Sequence, residues 1–232
     1  YIKPVLSNKI EIDIKNSRHP VVEKLLGFDD EFIPNDLYMN QKNRQIAIIT
    51  GPNMAGKSTF LRQIAQIILL AQIGSYVPAD SCKLGIVDQL FTRVGANDNI
   101  AEGESTFLVE MNESAYILNN ATENSFIILD EVGRGTSTFD GLSLAWSITE
   151  YLHNNKKNKA RTLFATHYHE LISIAEKLKD AFNLNLQIKE YNDEIIFMRK
   201  VVDGGADKSY GIQVAEMAGL PIDVIIRSKE LL

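Results

Sequence analysis

Apolar runs of strand length alternate along this chain with stretches whose apolar residues fall at helical spacing. "RQIAIIT" (44–50), "QLFTRVG" (89–95), "SFIILDE" (125–131) and "RTLFATH" (161–167) predict buried strands. Residues 57–73 predict a helix. So do "TFLVEMNESAYILNNA" (106–121), with Phe107, Met111, Ala115 and Leu118 as its apolar stripe, "DGLSLAWSITEYLH" (140–153) and "YHELISIAEKL" (168–178). Strand followed by helix, repeated, predicts a mostly parallel sheet with helices on both faces. The ends of the chain differ. "KIEIDI" and "HPVVEKLL" read as short strands and a turn, and 181–201 as a hairpin turning at Asn192-Asp193. The last segment reads as a helix, a Gly-Leu-Pro break and a second helix, with Gly219 ending the first and Pro221 starting the second. The expected division is 1–205 for the α/β unit and 206–232 for the helical appendage.

Composition narrows the picture. The chain has 232 residues, 45% hydrophobic and 23% charged, which is enough to bury a core. Its net charge is −6, so a surface that coats DNA phosphates is not expected of this segment. The single cysteine, Cys82, excludes an internal disulfide and fits a cytoplasmic setting. The opening "YIKPVL" has neither an initiator methionine nor a signal peptide, and predicts a piece of a longer protein. The oiliest stretch, "IAQIILLAQIG" (64–74), falls short of the roughly 20 apolar residues that span a bilayer. It predicts a helix buried within the protein, not a membrane segment.

The candidate chemistry starts at 51–58. Gly51, Pro52, Asn53, Met54, Ala55, Gly56, Lys57 and Ser58 fit G-x-x-x-x-G-K-[ST] at every fixed position, between a buried strand and a helix. Glycines let successive N–H groups face phosphate oxygens, and the helix start adds the positive end of its dipole. Lys57 supplies a point charge for the outer phosphates, and the Ser58 hydroxyl suits Mg²⁺, which prefers hard oxygen ligands. The loop is therefore expected to hold a nucleoside triphosphate.

Asp130 and Glu131 end the strand 125–131, where ligands of parallel sheets sit. Asp130 is expected to reach the Mg²⁺ shell and Glu131 to orient or deprotonate the attacking water. Thr166 and His167 end another strand, and a histidine there can sense or stabilise a terminal phosphate. His169 reads as a solvated helix residue, and no third ligand accompanies the two histidines toward a zinc site. Ser105 and Thr106 open the helix that follows the glycine-containing stretch 93–104. They read either as helix caps or as a second anion-binding helix end, facing a nucleotide across a dimer.

"TGPNMAGKST", "GESTFLVEM", "LDEVGRGTSTFDGLSLAW", "FATHYHEL" and "DKSYGIQVAEMAGLP", in this order, resemble the ATPase domain of the MutS family of DNA mismatch-recognition proteins. The resemblance runs from "SRHPVVEKLL" to the end of the chain and is to the mismatch-repair branch. It implies an ABC-ATPase-like P-loop fold that works as a head-to-tail homodimer with composite ATP sites. It also implies that Ser105 is offered in trans to the partner's γ-phosphate, that Asn53 touches nucleotide at that interface, and that Thr59 completes the loop motif. Phe32 would stack on adenine, Gly133 to Thr138 would couple the two sites, and the closing helix-turn-helix would clasp the other subunit. Mismatched DNA would be met through other parts of the parent protein, a MutL-type repair partner would act downstream, and the setting would be the bacterial cytoplasm at the nucleoid. Three positions depart from the family pattern: Glu104 stands where arginine is common, Asn99 where a second acid follows Asp98, and Arg199 where some relatives place a histidine beside adenine.

Two other functions compete with this one. A transporter or chromosome-tethering motor would carry a serine-glycine-glycine signature shortly before the Asp-Glu strand, and this chain has none. A dimerisation module that binds nucleotide but barely hydrolyses it differs from an ATPase in its turnover.

Overall fold

The computed structural model describes residues 1–27, 30–95, 105–155, 157–191, 194–206 and 208–232. Its strands are β1 (Val5–Ser7), β2 (Glu11–Ser17), β3 (Asn35–Asn40), β4 (Ile46–Thr50), β5 (Ser81–Gly85), β6 (Leu90–Arg93), β7 (Phe126–Asp130), β8 (Arg161–Ala165), β9 (Ala181–Tyr191) and β10 (Glu194–Asp203). The helices are α1 (Val22–Leu25), α2 (Lys57–Gln72), α3 (Thr106–Asn120), α4 (Thr138–Asn154), α5 (Ile174–Lys177), α6 (Gly211–Met217) and α7 (Ile222–Leu231).

β4, β7 and β8 are buried at every position, as continuous apolar runs are when a parallel sheet is covered on both faces. They lie in a six-stranded sheet of order β10-β9-β4-β8-β7-β6. Every neighbouring pair in it is parallel except the β9–β10 hairpin. This is the mixed α/β architecture expected. The tip of the hairpin, Asn192-Asp193, lies outside the described residues.

A second sheet was not foreseen. β1, β5, β2 and β3 form a four-stranded sheet in that order, with only the β1–β5 pair parallel. It lies across α2 from the large sheet. Ile12, Ile14, Leu37 and Met39 of the small sheet share one core with Phe60, Leu61, Ile64, Ile67 and Ile68 of α2 and with Ala47, Ile49, Ile128 and Leu163 of the large sheet. α2 buries the face that carries Phe60, Leu61, Ile64, Ile67, Ile68 and Ala71, whereas Leu69 and Ile73 of the oily stretch 64–74 are exposed, so that stretch is buried along one side and not all round. Ile64 is wholly buried there. Ile64→Ala should cost about 2–5 kcal/mol, read as a lowered midpoint in urea unfolding. The opposite face of the large sheet carries a second core, in which Ile48, Ile127, Leu129 and Phe164 meet Ile117 of α3, Ala145, Ile148 and Leu152 of α4, and Leu171.

Three local expectations are corrected. "HPVVEKLL" forms the single helical turn α1, not a strand; His19 Nδ1 accepts the Val21 and Val22 N–H groups at its start. The stretch after His167 is a 3-10 turn, His169–Ser173, leading into the short α5, and not one helix. In α3 the buried positions are Glu110, Ser114 and Ile117, while Ala115 of the expected stripe is exposed. Pro221 stands at the start of α7, as its N-cap, as expected. Gly219 does close the helix before it, with φ at +83°.

Candidate functional site

The carboxyl ends of β4, β8 and β7, adjacent in the sheet, bring the expected residues together. Past β4 the chain enters Gly51, Pro52 and the 3-10 turn Asn53–Ala55, then Gly56, the N-cap of α2. Gly56 has φ of +105°, a conformation costly for any residue with a Cβ, so the sharp entry into α2 needs glycine here. Gly56, having no side chain, offers α2 no side-chain cap. The first N–H groups of a helix have no intrahelical partner, and here they face the loop with the positive end of the dipole. Pro52 and Ala55 are buried, Thr59 is half-buried and Met54 is exposed.

Lys57 is 1% exposed and its Nζ donates to the Gly51 carbonyl at 2.5 Å. It also lies 3.8 Å from Glu131 Oε1. Burial pulls its ammonium below the ordinary lysine range, against the attraction of Glu131 and Asp130.

Ser58 and Asp130 meet. Burial pushes the Asp130 carboxyl above the usual carboxylate range, and a hydrogen bond with Ser58 works in the opposite direction. Asp130 Oδ1 is buried with no hydrogen-bond partner among the described residues. A raised pKa in the folded chain means that ionising Asp130 opposes folding, so this contribution to stability is present at low pH and lost as pH rises through the folded-state value. Asp130→Asn removes the charge and keeps an acceptor for Ser58. It should therefore raise the thermal midpoint of the nucleotide-free protein at neutral pH; a lowered midpoint would contradict the strain inferred here.

Glu131 follows in the left-handed region, with φ of +54°, and its N–H donates to the Ala165 carbonyl at 2.9 Å. Its Oε2 is 2.7 Å from Arg134 Nη1. His167 stands at the end of β8, exposed, and desolvation lowers its pKa despite the nearby Glu131. His169, expected to be solvated, is half-buried in the 3-10 turn.

Phe32 and Arg199, far apart in sequence, line one cleft of about 220 Å³ beside the loop, together with Val22, Leu26, Met54, Ala55, Gly56 and Thr59. Arg199 sits at an irregularity of the β9–β10 ladder with φ of +53°. The buried Asn35 fixes this wall, donating to the Arg199 carbonyl at 3.1 Å and accepting the Val201 N–H at 2.7 Å. The sequence reading missed Asn35, Val22 and Leu26.

Ser105 occupies the N-cap position of α3 but makes no capping hydrogen bond through its side chain, and it is exposed. The helix-cap account of that serine is therefore not what the structure shows. Asp98, Asn99 and Glu104 lie outside the described residues.

The arrangement places a lysine, a serine, two carboxylates and a histidine around the start of one helix, at the carboxyl edge of a mixed α/β sheet flanked by helices. A family model described as MutS domain V matches residues 47–232. The chain belongs to the MutS family. It is 60% identical over its whole length to the DNA mismatch repair protein MutS of Salinibacter ruber, covering 26% of that protein. The corresponding identities are 58% for MutS of Thermodesulfovibrio yellowstonii, with 28% of it covered, and 57% for that of Acetivibrio thermocellus, with 26% covered. The chain thus spans about a quarter of the length of these relatives. Among the described residues, no helix is long and apolar enough to cross a membrane.

Proposed function

We propose that this chain is the ATP-binding and ATP-hydrolysing part of a MutS-type DNA mismatch repair protein. The observation that carries the reading is the meeting of Ser58 and Asp130 beside the Gly51–Ser58 loop, with Asp130 Oδ1 buried and unpartnered. An orphaned hard oxygen beside a hydroxyl, next to a phosphate-binding motif, fits a Mg²⁺ ion. Among the described residues no cluster of three or more metal-ligating side chains exists. In this reading Ser58 and Asp130 hold the ion, and water and phosphate oxygens complete it. When bound, the ion neutralises charge on the outer phosphates.

The loop amides and Lys57 grip the β- and γ-phosphates. Glu131 accepts a proton from the attacking water, and His167 donates to the terminal phosphate. Phe32 and Arg199 hold the adenine between an aromatic face and a guanidinium.

In this reading two copies close head to tail, and Ser105 of each completes the site of the other, with Asn53 at the same interface. The ABC-like unit is 1–205. The segment 206–232 is a helix-turn-helix that clasps the second copy; the exposed Met217, Leu220, Ile222, Val224 and Ile226 favour this role. Closure driven by ATP moves mismatch-reading parts elsewhere in the parent protein and signals to a MutL-type partner in the cytoplasm, at the nucleoid. Steady-state ATPase rate against protein concentration is the test. Composite sites require specific activity to rise as dimers form, whereas flat activity would point to hydrolysis within one chain. ATP binding with no measurable turnover would favour a nucleotide-binding dimerisation module.

A further inference from the structure

One residue near Glu131, Gly133, is held through both of its flanking peptides by buried side chains that the proposed reaction does not otherwise use. The Gly133 N–H donates to Glu110 Oε1 at 2.5 Å. The Gly133 carbonyl accepts from the Tyr168 hydroxyl at 2.9 Å. Glu110 is 5% exposed and Tyr168 3%. The other oxygen of Glu110 is anchored 3.2 Å from the guanidinium of Arg93, which is itself buried.

The fit leaves no slack. Gly133 has φ of +93°, and a Cβ there would lie 2.6 Å from the Gly141 carbonyl oxygen. Two residues earlier, Glu131 holds a left-handed backbone, φ +54°, which a non-glycine residue keeps only where its surroundings enforce it. The Ala165 carbonyl fixes Glu131 on its amino side. The clamp on Gly133 fixes it on the carboxyl side.

A carboxylate on the buried side of a helix is destabilising unless paired, and an apolar side chain would fill the same space. Besides its ion pair with the buried Arg93, the carboxylate adds a fixed acceptor for one N–H. We propose that Glu110 and Tyr168 are positioning residues for Glu131. By pinning the backbone on both sides of Gly133 they hold the Glu131 carboxylate in the orientation that activates water. The proposal rests on the hydrolytic reading above. It also joins two elements of that reading. Glu110 belongs to α3, which opens at Ser105, and Tyr168 follows His167, their ring centroids 4.0 Å apart. A shift of α3 or of the His167 loop therefore bears directly on the backbone around Gly133 that sets Glu131.

The test uses Tyr168→Phe, Glu110→Gln and Glu110→Ala, with ATP affinity and the single-turnover hydrolysis rate at saturating Mg-ATP measured separately. Tyr168→Phe keeps the ring and its packing, so it is the variant that preserves the fold. The expected result is affinity within about twofold of wild type, with hydrolysis slowed roughly ten- to a hundredfold in Tyr168→Phe and Glu110→Ala. Glu110→Gln keeps an oxygen acceptor and should be slowed less. Adding Tyr168→Phe to Glu131→Gln should slow hydrolysis no further, because residues that act through one group are not additive. Wild-type hydrolysis by Tyr168→Phe at saturating ATP overturns the proposal. So does a parallel fall of affinity and rate, which marks a merely structural role. A wild-type chain that never hydrolyses ATP overturns the underlying reading as well, and is recognised before any substitution is made.

Discussion

Glu131→Gln should bind ATP about as tightly as the wild type and hydrolyse it roughly 10²–10⁴ times more slowly, the usual contribution of a positioned general base. The geometry gives the reason. Glu131 sits one residue past the buried Asp130, with one oxygen 3.8 Å from Lys57 Nζ and the other 2.7 Å from Arg134. The amide keeps the shape and a donor–acceptor pair but cannot take a proton from water. Nucleotide contacts through the Gly51–Ser58 loop are untouched, so binding survives. Rapid quench for the chemical step and equilibrium binding for affinity separate the two effects. Unchanged turnover would remove Glu131 from the role of base.

Lys57→Met should do the reverse and weaken ATP binding by about 3 kcal/mol, roughly a hundredfold or more. Lys57 is almost wholly buried, and desolvation disfavours its charged form. A lysine whose folded-state pKa is pulled down opposes folding when charged. Methionine keeps most of the stem and removes that penalty, so the variant should stay folded while losing the contact with the outer phosphates. Calorimetric titration with Mg-ATP reads the loss, and a thermal melt of the nucleotide-free protein checks the fold. Affinity unchanged by the substitution would mean that the ammonium does not meet phosphate.

These two residues were legible in the sequence because their signals are local. A fixed spacing of glycines before Lys57 and Ser58, and an acid pair at the end of an apolar run, need no tertiary information. The parallel core was legible for the same reason, since β4, β7 and β8 are continuous apolar runs. The small sheet was not. "NDLYMN" and "SCKLG" are short and mix polar with apolar positions, and they become strands because α2 offers them a face to cover. Glu110 and Tyr168 escaped notice because a glutamate on a helix and a tyrosine in a turn usually face solvent. Only the approach of α3 to the loop after β7 buries them. A clue did exist in α3, where Glu110, Ser114 and Ile117 share a face at helical spacing, beside the apolar stripe on which the reading relied. Asn35 was hidden by its pairing with a strand more than 150 residues away, which no local pattern shows.

The proposed function requires a triphosphate held at the start of α2 with magnesium between Ser58 and Asp130. Calorimetric titration of the chain with a non-hydrolysable ATP analogue, with and without Mg²⁺, tests this most directly. The prediction is one site per chain whose affinity falls when the metal is withheld, and falls in the same way when Asp130→Asn is titrated with the metal present. Absence of binding, or binding indifferent to both the metal and Asp130, would contradict it.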